Sequence, residues 1–478
     1  DETLDTVGKG VLGLTISCAR CHDHKFDPVS QEDYYALAGF FTSTQYPHAG
    51  SEHGQEASNL VPISADGIAY AAHLNKVTDL KTKLYYLDRR KTKTDEDRKN
   101  IAELKKEIAA MEKDSPKPVG PMAWAVTNKP PEECHDSPMM MRGDPNRLGK
   151  VVPRGFVSVI DAAKPQIKND DSGRAALAEF LTSPKNPLTA RVMVNRIWLH
   201  HYGKGIVPTP DNFGLQGKPP THPELLDYLA SRFIESGWSV KEMHKLIMMS
   251  ATYRMATEGH GPGAKGQGTD NPRSEIRDPQ SVDPSNTLYW RFDRRRLDAE
   301  QIRDGILAIS GKLDLSTGKA HPFPDTMKTR FTQHRPFHAV YDTDRRSVFI
   351  MTQRLHKHPF LGLFDGPDTN KTTGLRGEST VPLQALYMMN SEFIAEQSRA
   401  FVQRLMKEAK DDASRVKLMH EYGCGRAASE DEVAAALEYV KQYAAAIPGD
   451  VKEDDRTTAA WASYAKLLLS SNAFIYVD

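Results

Sequence analysis

The chain has 478 residues, room for two or three domains, and its 39% hydrophobic and 26% charged content is that of a folded protein rather than a disordered one. Lys+Arg and Asp+Glu are equal at 63 each, so no net field selects nucleic acid or an anionic membrane as partner. No apolar run approaches the roughly 18 residues that a membrane-crossing helix needs.

Residues 3–16 place Leu4, Val7, Val11 and Leu14 on one helical face, which predicts a helix running straight into the next motif. Gly8, Gly10 and Gly13 thin its other side, permitting close approach by a flat partner or another helix. The motif is Cys18-Ala19-Arg20-Cys21-His22, the attachment pattern of c-type haem. Two thiols at this spacing add across the two porphyrin vinyl groups, and the adjacent imidazole becomes an axial iron ligand. The same residue types also serve a redox dithiol, a structural disulfide, or a zinc or copper site completed by His24. One covalent haem c on Cys18 and Cys21, with His22 on the iron, is the expected reading, because chance rarely produces this five-residue pattern.

After Asp27-Pro28, Ser30-x-x-Asp33 resembles a capping box and opens a helix through Tyr34, Leu37, Phe40 and Phe41. Residues 47–68 read as loop and contain His48 and His53. Residues 69–113 carry two heptad-like stripes, Leu74 to Leu87 and Ile101 to Met111, separated by KTKTDED. This predicts an antiparallel helical hairpin arm, followed by a Pro-rich linker over 114–131.

A distal haem ligand must come from distant sequence or be missing, since His24 is too near His22 to reach the opposite porphyrin face. Met139, Met140 and Met141 are candidates, with His135 and His48 as alternatives. Alternate methionines in a strand also fill cores, which is the blander reading. Arg142, in the turn Arg142-Gly143-Asp144-Pro145, is a candidate partner for a haem propionate.

From Asp171 the pattern is mainly helical: 173–182, 187–203, a helix from Thr221, and 240–255. A Gly/Pro-rich surface loop over 256–285 follows. Arg294-Arg295-Arg296 precedes a helix ending near Gly311, with the arginines expected to pair with Asp and Glu of the same chain. Arg345–Ile350 reads as a strand, and 379–478 returns to helices. His200, His201, His222, Glu224, Asp298 and Glu300 are candidate acid–base groups, should the chain be an enzyme. Cys134 and Cys424 could form one disulfide in an oxidising compartment.

The expected fold is mainly α. Residues 1–170 form a small c-type-cytochrome-like haem domain with the hairpin insertion, and 171–478 a larger, mostly helical domain.

The blocks CARCHDHKFDPVSQEDYYALAGFF, RGDPNRLGKVVPRGF, LTSPKNPLTARVMVNRIWLHHYGKGIVPTPDNFGLQGKPPTHPELLDYLA, RRRLDAEQIRDGIL, RRSVFI, STVPLQALYMMNSEF and SSNAFIYVD resemble planctomycete-type cytochrome proteins. That family joins a cytochrome-like domain of unknown function to a C-terminal planctomycete-specific domain, also of unknown function. The resemblance implies an exported, periplasmic or extracellular bacterial protein and supports haem at Cys18, Cys21 and His22. It also implies a segment before residue 1, including the signal peptide that haem attachment after export requires.

The expected function is electron transfer to or from a partner oxidoreductase. The alternatives are a haem oxidoreductase or peroxidase-like enzyme acting on a small or carbohydrate-derived substrate, and a structural or assembly protein with a structural haem.

Overall fold

The computed structural model describes residues 1–51, 55–58, 60–90, 92–116, 122–161, 165–168, 170–257, 279–317, 343–350, 352, 357–370, 373–448 and 452–477. The fold is mainly α, as expected, and among the described residues the strands occur as short antiparallel pairs. The chain divides into two units, one built on Asp1–Arg196 and Val207–Ser239, the other on Ile197–Ile206, Val240–His321 and His338–Asp478.

The first unit is organised by the helix Gln31–Thr42. Its start is the expected capping box: Ser30 Oγ accepts the Asp33 N–H, and the Asp33 carboxylate accepts the Ser30 N–H at 2.8 Å. Tyr34 through Phe40 are all buried, so this helix is core on nearly every side. Around it pack Leu4, Leu12, Ile16, Met139, Val152, Val157, Leu177 and Phe180. Phe156 stacks between Phe40 and Phe180, with centroids 6.0 and 4.3 Å away.

The opening helix stops short of its expected length. Glu2–Val7 is α-helical, Gly8–Leu12 widens into a π turn, and Gly13 ends it at φ +62°, a conformation that glycine adopts without strain. The Cys-x-x-Cys-His segment then starts a separate 3-10 helix, Ile16–Arg20.

Two segments expected to be irregular contain strands. His48–Ser51 pairs with Gln55–Ser58, and Leu60–Pro62 pairs with Met122–Trp124 inside the Pro-rich stretch. Thr44–Gln45 also pairs with Thr127–Asn128. These pairings clamp both ends of the helical arm, Ile68–Asp88 and Asp95–Lys113, whose turn is capped by Thr94 and Asp97. Val77 and Leu80 on one helix and Ile101 and Ile108 on the other are buried, as the stripes predict. His53 lies outside the described residues, as does most of the 256–285 loop.

The first unit also holds the helices Arg174–Thr182 and Pro223–Glu235. In the second unit, Val240–Met248 is shorter than expected and passes into a 3-10 turn at Thr252–Arg254. Helices Glu392–Glu408, Asp412–Cys424, Glu430–Ala446 and Glu453–Leu469 bury Phe401, Leu405, Met419 and Trp461 between them. The helix Ala299–Ser310 ends on Gly311 at φ +76° and packs with Phe360, Phe364 and Phe474. Arg345–Ile350 is not a strand. Ser347–Phe349 is a 3-10 turn whose backbone is claimed by side chains, with Ser347 N–H on Asp304 at 2.8 Å and the Arg345 carbonyl taken by Arg303 at 3.0 Å.

Cys134 and Cys424 are both free thiols rather than a disulfide. Cys134 is buried, with its Sγ on the Lys129 carbonyl at 3.3 Å, and burial pushes the Cys424 thiol up.

Candidate functional site

Cys18, Cys21 and His22 lie on one short turn, and all three are exposed. Cys18 and Cys21 are free thiols, not a disulfide. His22 Nδ1 is 2.7 Å from the Asp23 carbonyl, which can only accept, so Nδ1 carries the proton. Nε2 therefore keeps its lone pair, and it has no partner among the described residues.

His24 is built for something else. Its Nδ1 accepts the N–H groups of Phe26 at 3.2 Å and Asp27 at 2.8 Å, and its Nε2 donates to Thr15 Oγ1 at 3.0 Å. Both ring nitrogens are committed to holding the turn, so His24 is not offered to a metal beside Cys18 and Cys21. Among the described residues no three His, Cys, Asp or Glu side chains are grouped to hold a metal ion.

The strand pair Ser137–Met140 and Leu148–Val152 lies against the motif. The Arg20 and Met140 carbonyls share donors: Gln31 Nε2 reaches them at 2.9 and 3.1 Å, and the Tyr35 hydroxyl at 3.1 and 3.4 Å. Burial pushes the Tyr35 hydroxyl up, so it stays protonated and donating. At the hairpin's tip Gly143 sits at φ +74°, and a Cβ there would stand 2.5 Å from Cys21 Sγ. Glycine is what lets this tip approach the thiol.

The ligand candidates on this hairpin part company. Met139 is in the core, Met140 packs against it, and Met141 is 46% exposed. Arg142 is exposed, at φ 57° on the same tip. His135 is exposed and donates from Nδ1 to the Asp136 carbonyl at 3.0 Å. The His48 side chain lies outside the described residues.

The acid–base candidates are scattered. His222 precedes the helix Pro223–Glu235 and bonds Thr221 Oγ1 at 2.9 Å, and Glu224 sits in that helix's first turn. Asp298 caps the helix Ala299–Ser310, and Glu300 pairs with Arg376 at 2.7 Å. The arginine run pairs internally, through Arg296 with Asp365 at 2.6 Å. His200 is exposed, and its carbonyl accepts from Arg295 at 2.8 Å. His201 meets His244 at 2.7 Å, and burial with His244 and Arg295 nearby holds it down to about 4.

Sequence reading passed over the loop 208–220. Its Phe213 N–H donates to the Gly13 carbonyl and its Leu215 N–H to Asp27 Oδ1, each at 2.7 Å. It borders a cleft of about 600 Å³ walled by Leu188, Arg191, Phe213, Leu226 and Asp227. The available signal was its make-up: four Pro and two Gly in thirteen residues, more turn chemistry than a plain helix connection requires.

The donor set of the motif fits covalent haem: two exposed, unoxidised thiols three positions apart, then an imidazole with its Nε2 open.

Among known families, the PSD1 model, described as "Protein of unknown function (DUF1553)", matches residues 173–440, and the PSCyt2 model, "Protein of unknown function (DUF1549)", matches residues 1–46. No curated protein and no solved structure matches the chain.

Proposed function

The chain belongs to the PSD1 family of proteins of unknown function, and from that premise we propose that it is an extracytoplasmic c-type cytochrome, one haem bound through Cys18 and Cys21, that exchanges electrons with a partner oxidoreductase. The observation that carries this reading is His22: the Asp23 carbonyl fixes its tautomer and leaves Nε2 as a ligand, immediately after two free thiols. Bound haem supplies a one-electron iron couple whose potential follows axial ligation and burial.

The chain's own residues hold the attachment turn. His24 ties its downstream end to Thr15, while Gln31 and Tyr35 hold the Arg20 carbonyl beside that of Met140. Met141 is the sixth-ligand candidate on the exposed tip that abuts Cys21, and Arg142 beside it is the propionate candidate.

The test is a pyridine haemochrome spectrum with intact mass, on protein made in a host that attaches haem c. Wild type is expected to carry one haem per chain, and Cys18→Ala with Cys21→Ala none. Wild type without haem in that host would end the cytochrome reading. A second reading, a haem oxidoreductase acting on a small substrate, is favoured by the cleft beside the loop anchored on Asp27. Rapid carbon monoxide binding by the reduced protein would select it over electron transfer.

A further inference from the structure

The segment between Val207 and Pro223 is irregular yet held at every stage. Asn195 closes its start, accepting the Val207 N–H at 2.8 Å and donating to the Val207 carbonyl at 3.0 Å. Thr209 Oγ1 donates to the Asn212 carbonyl at 2.7 Å and accepts the Lys218 N–H at 2.9 Å. Asn212 Oδ1 accepts the Gly214 N–H at 2.9 Å. The apex is then fixed on Gly13 and Asp27, and three prolines, Pro219, Pro220 and Pro223, stiffen the exit. Such a wall is formed before any ligand arrives, so little ordering cost opposes binding.

The cleft that this wall borders measures about 600 Å³, within the range of small-molecule sites, roughly 300–1,000 Å³. Leu188, Phe213, Leu215 and Leu226 are among its apolar lining. Three charged residues line it: Arg191, Asp227 and Lys218. Arg191 and Asp227 neutralise each other at 2.7 Å. Lys218 is exposed and makes no ion pair among the described residues, so the cleft carries one uncompensated positive charge.

We propose that this cleft binds a small amphipathic anion, a body of one or two rings carrying a carboxylate. The ring lies on the Phe213–Leu226 wall, where apolar area leaves water, and the carboxylate faces Lys218. A cationic ligand finds no free acid, because the Asp227 carboxylate already serves Arg191. The site stands whether or not the chain carries haem.

The probe is 2-naphthoate, titrated into the full chain by isothermal calorimetry beside naphthalene-2-methanol and 2-naphthylmethylamine. Naphthoate should bind about fivefold more tightly than the alcohol, the range of one exposed charge contact, and the amine most weakly. Lys218→Gln should bring naphthoate to the level of the alcohol, and Lys218→Glu should reverse the order of naphthoate and amine. Lys218 is exposed, so neither change disturbs the fold, which an unaltered melting curve checks. No naphthoate binding at millimolar concentration, equal binding of all three probes, or indifference to both Lys218 variants would each overturn the proposal.

Discussion

The Asp27 carboxylate accepts the backbone N–H of Leu215 at 2.7 Å, joining the end of the Cys-x-x-Cys-His loop to a segment 188 residues later. Asp27 is 5% exposed, and a Cβ at Gly214 would overlap both of its carboxylate oxygens. The glycine permits the approach and the carboxylate fills the space that it leaves.

Asp27→Ala should therefore remove the charged acceptor of the Leu215 N–H and destabilise the protein by about 1.5–3 kcal/mol, while Asp27→Asn, which keeps an acceptor oxygen, should lose about 1 kcal/mol. Urea unfolding at constant m-value reads both. Equal losses in the two variants would mean that the bond to Leu215 is not what matters.

Gly143→Ala places a methyl at φ +74° and 2.5 Å from Cys21 Sγ. The expected outcome is about 1–2 kcal/mol of lost stability from backbone strain alone. A lower haem-to-protein ratio after expression with haem c assembly should accompany it, because the tip must move towards or away from the thiol. Gly10→Ala, which meets nothing within 4 Å, is the control.

Arg303 is 6% exposed and donates to the Arg345 carbonyl, the Thr343 carbonyl and Ser347 Oγ. Arg303→Met keeps much of the volume but orphans those acceptors, with an expected cost of about 2–3 kcal/mol. Limited proteolysis should show new cleavage near 343–347, since Arg303 holds the Thr343 and Arg345 carbonyls of that segment.

His201 sets an acid limit on stability. Burial, with His244 and Arg295 nearby, lowers its pKa from 6.5 to about 4 in the folded protein. The unfolded chain therefore takes up the proton first as pH falls. The stability tied to this group is complete above about pH 6.5 and is lost as the pH drops towards 4. His201→Asn should flatten the fall in Tm over that window, and an unchanged slope would assign the acid loss to other groups.

The legible parts of this protein are those whose signals are local. Helix starts followed from short-range hydrogen bonding, as at Ser30–Asp33, and helix ends from glycine at Gly311. The buried stripes of the arm followed from its heptad spacing. Within such stretches the chain's own periodicity and capping decide the outcome, so sequence carries the information.

Tertiary structure decided what those stretches meet. Met139 and Met141 would share one face of a continuous strand, yet Met139 is buried and Met141 exposed, because the strand ends at Met140 and the chain turns into a 3-10 tip at Met141. Arg345–Ile350 has strand composition, but among the described residues it makes only an isolated bridge between Arg345 and Asp314, while Arg303 and Asp304 of the helix Ala299–Ser310 take the Arg345 carbonyl and the Ser347 N–H. His24 looked like a ligand until three local partners consumed both of its nitrogens. Asp27 and Leu215 carry no mark in sequence of being neighbours. Their bond exists because packing buries the Asp27 carboxylate beside the Leu215 N–H, and a buried carboxylate left without a donor would cost the fold on the order of several kcal/mol.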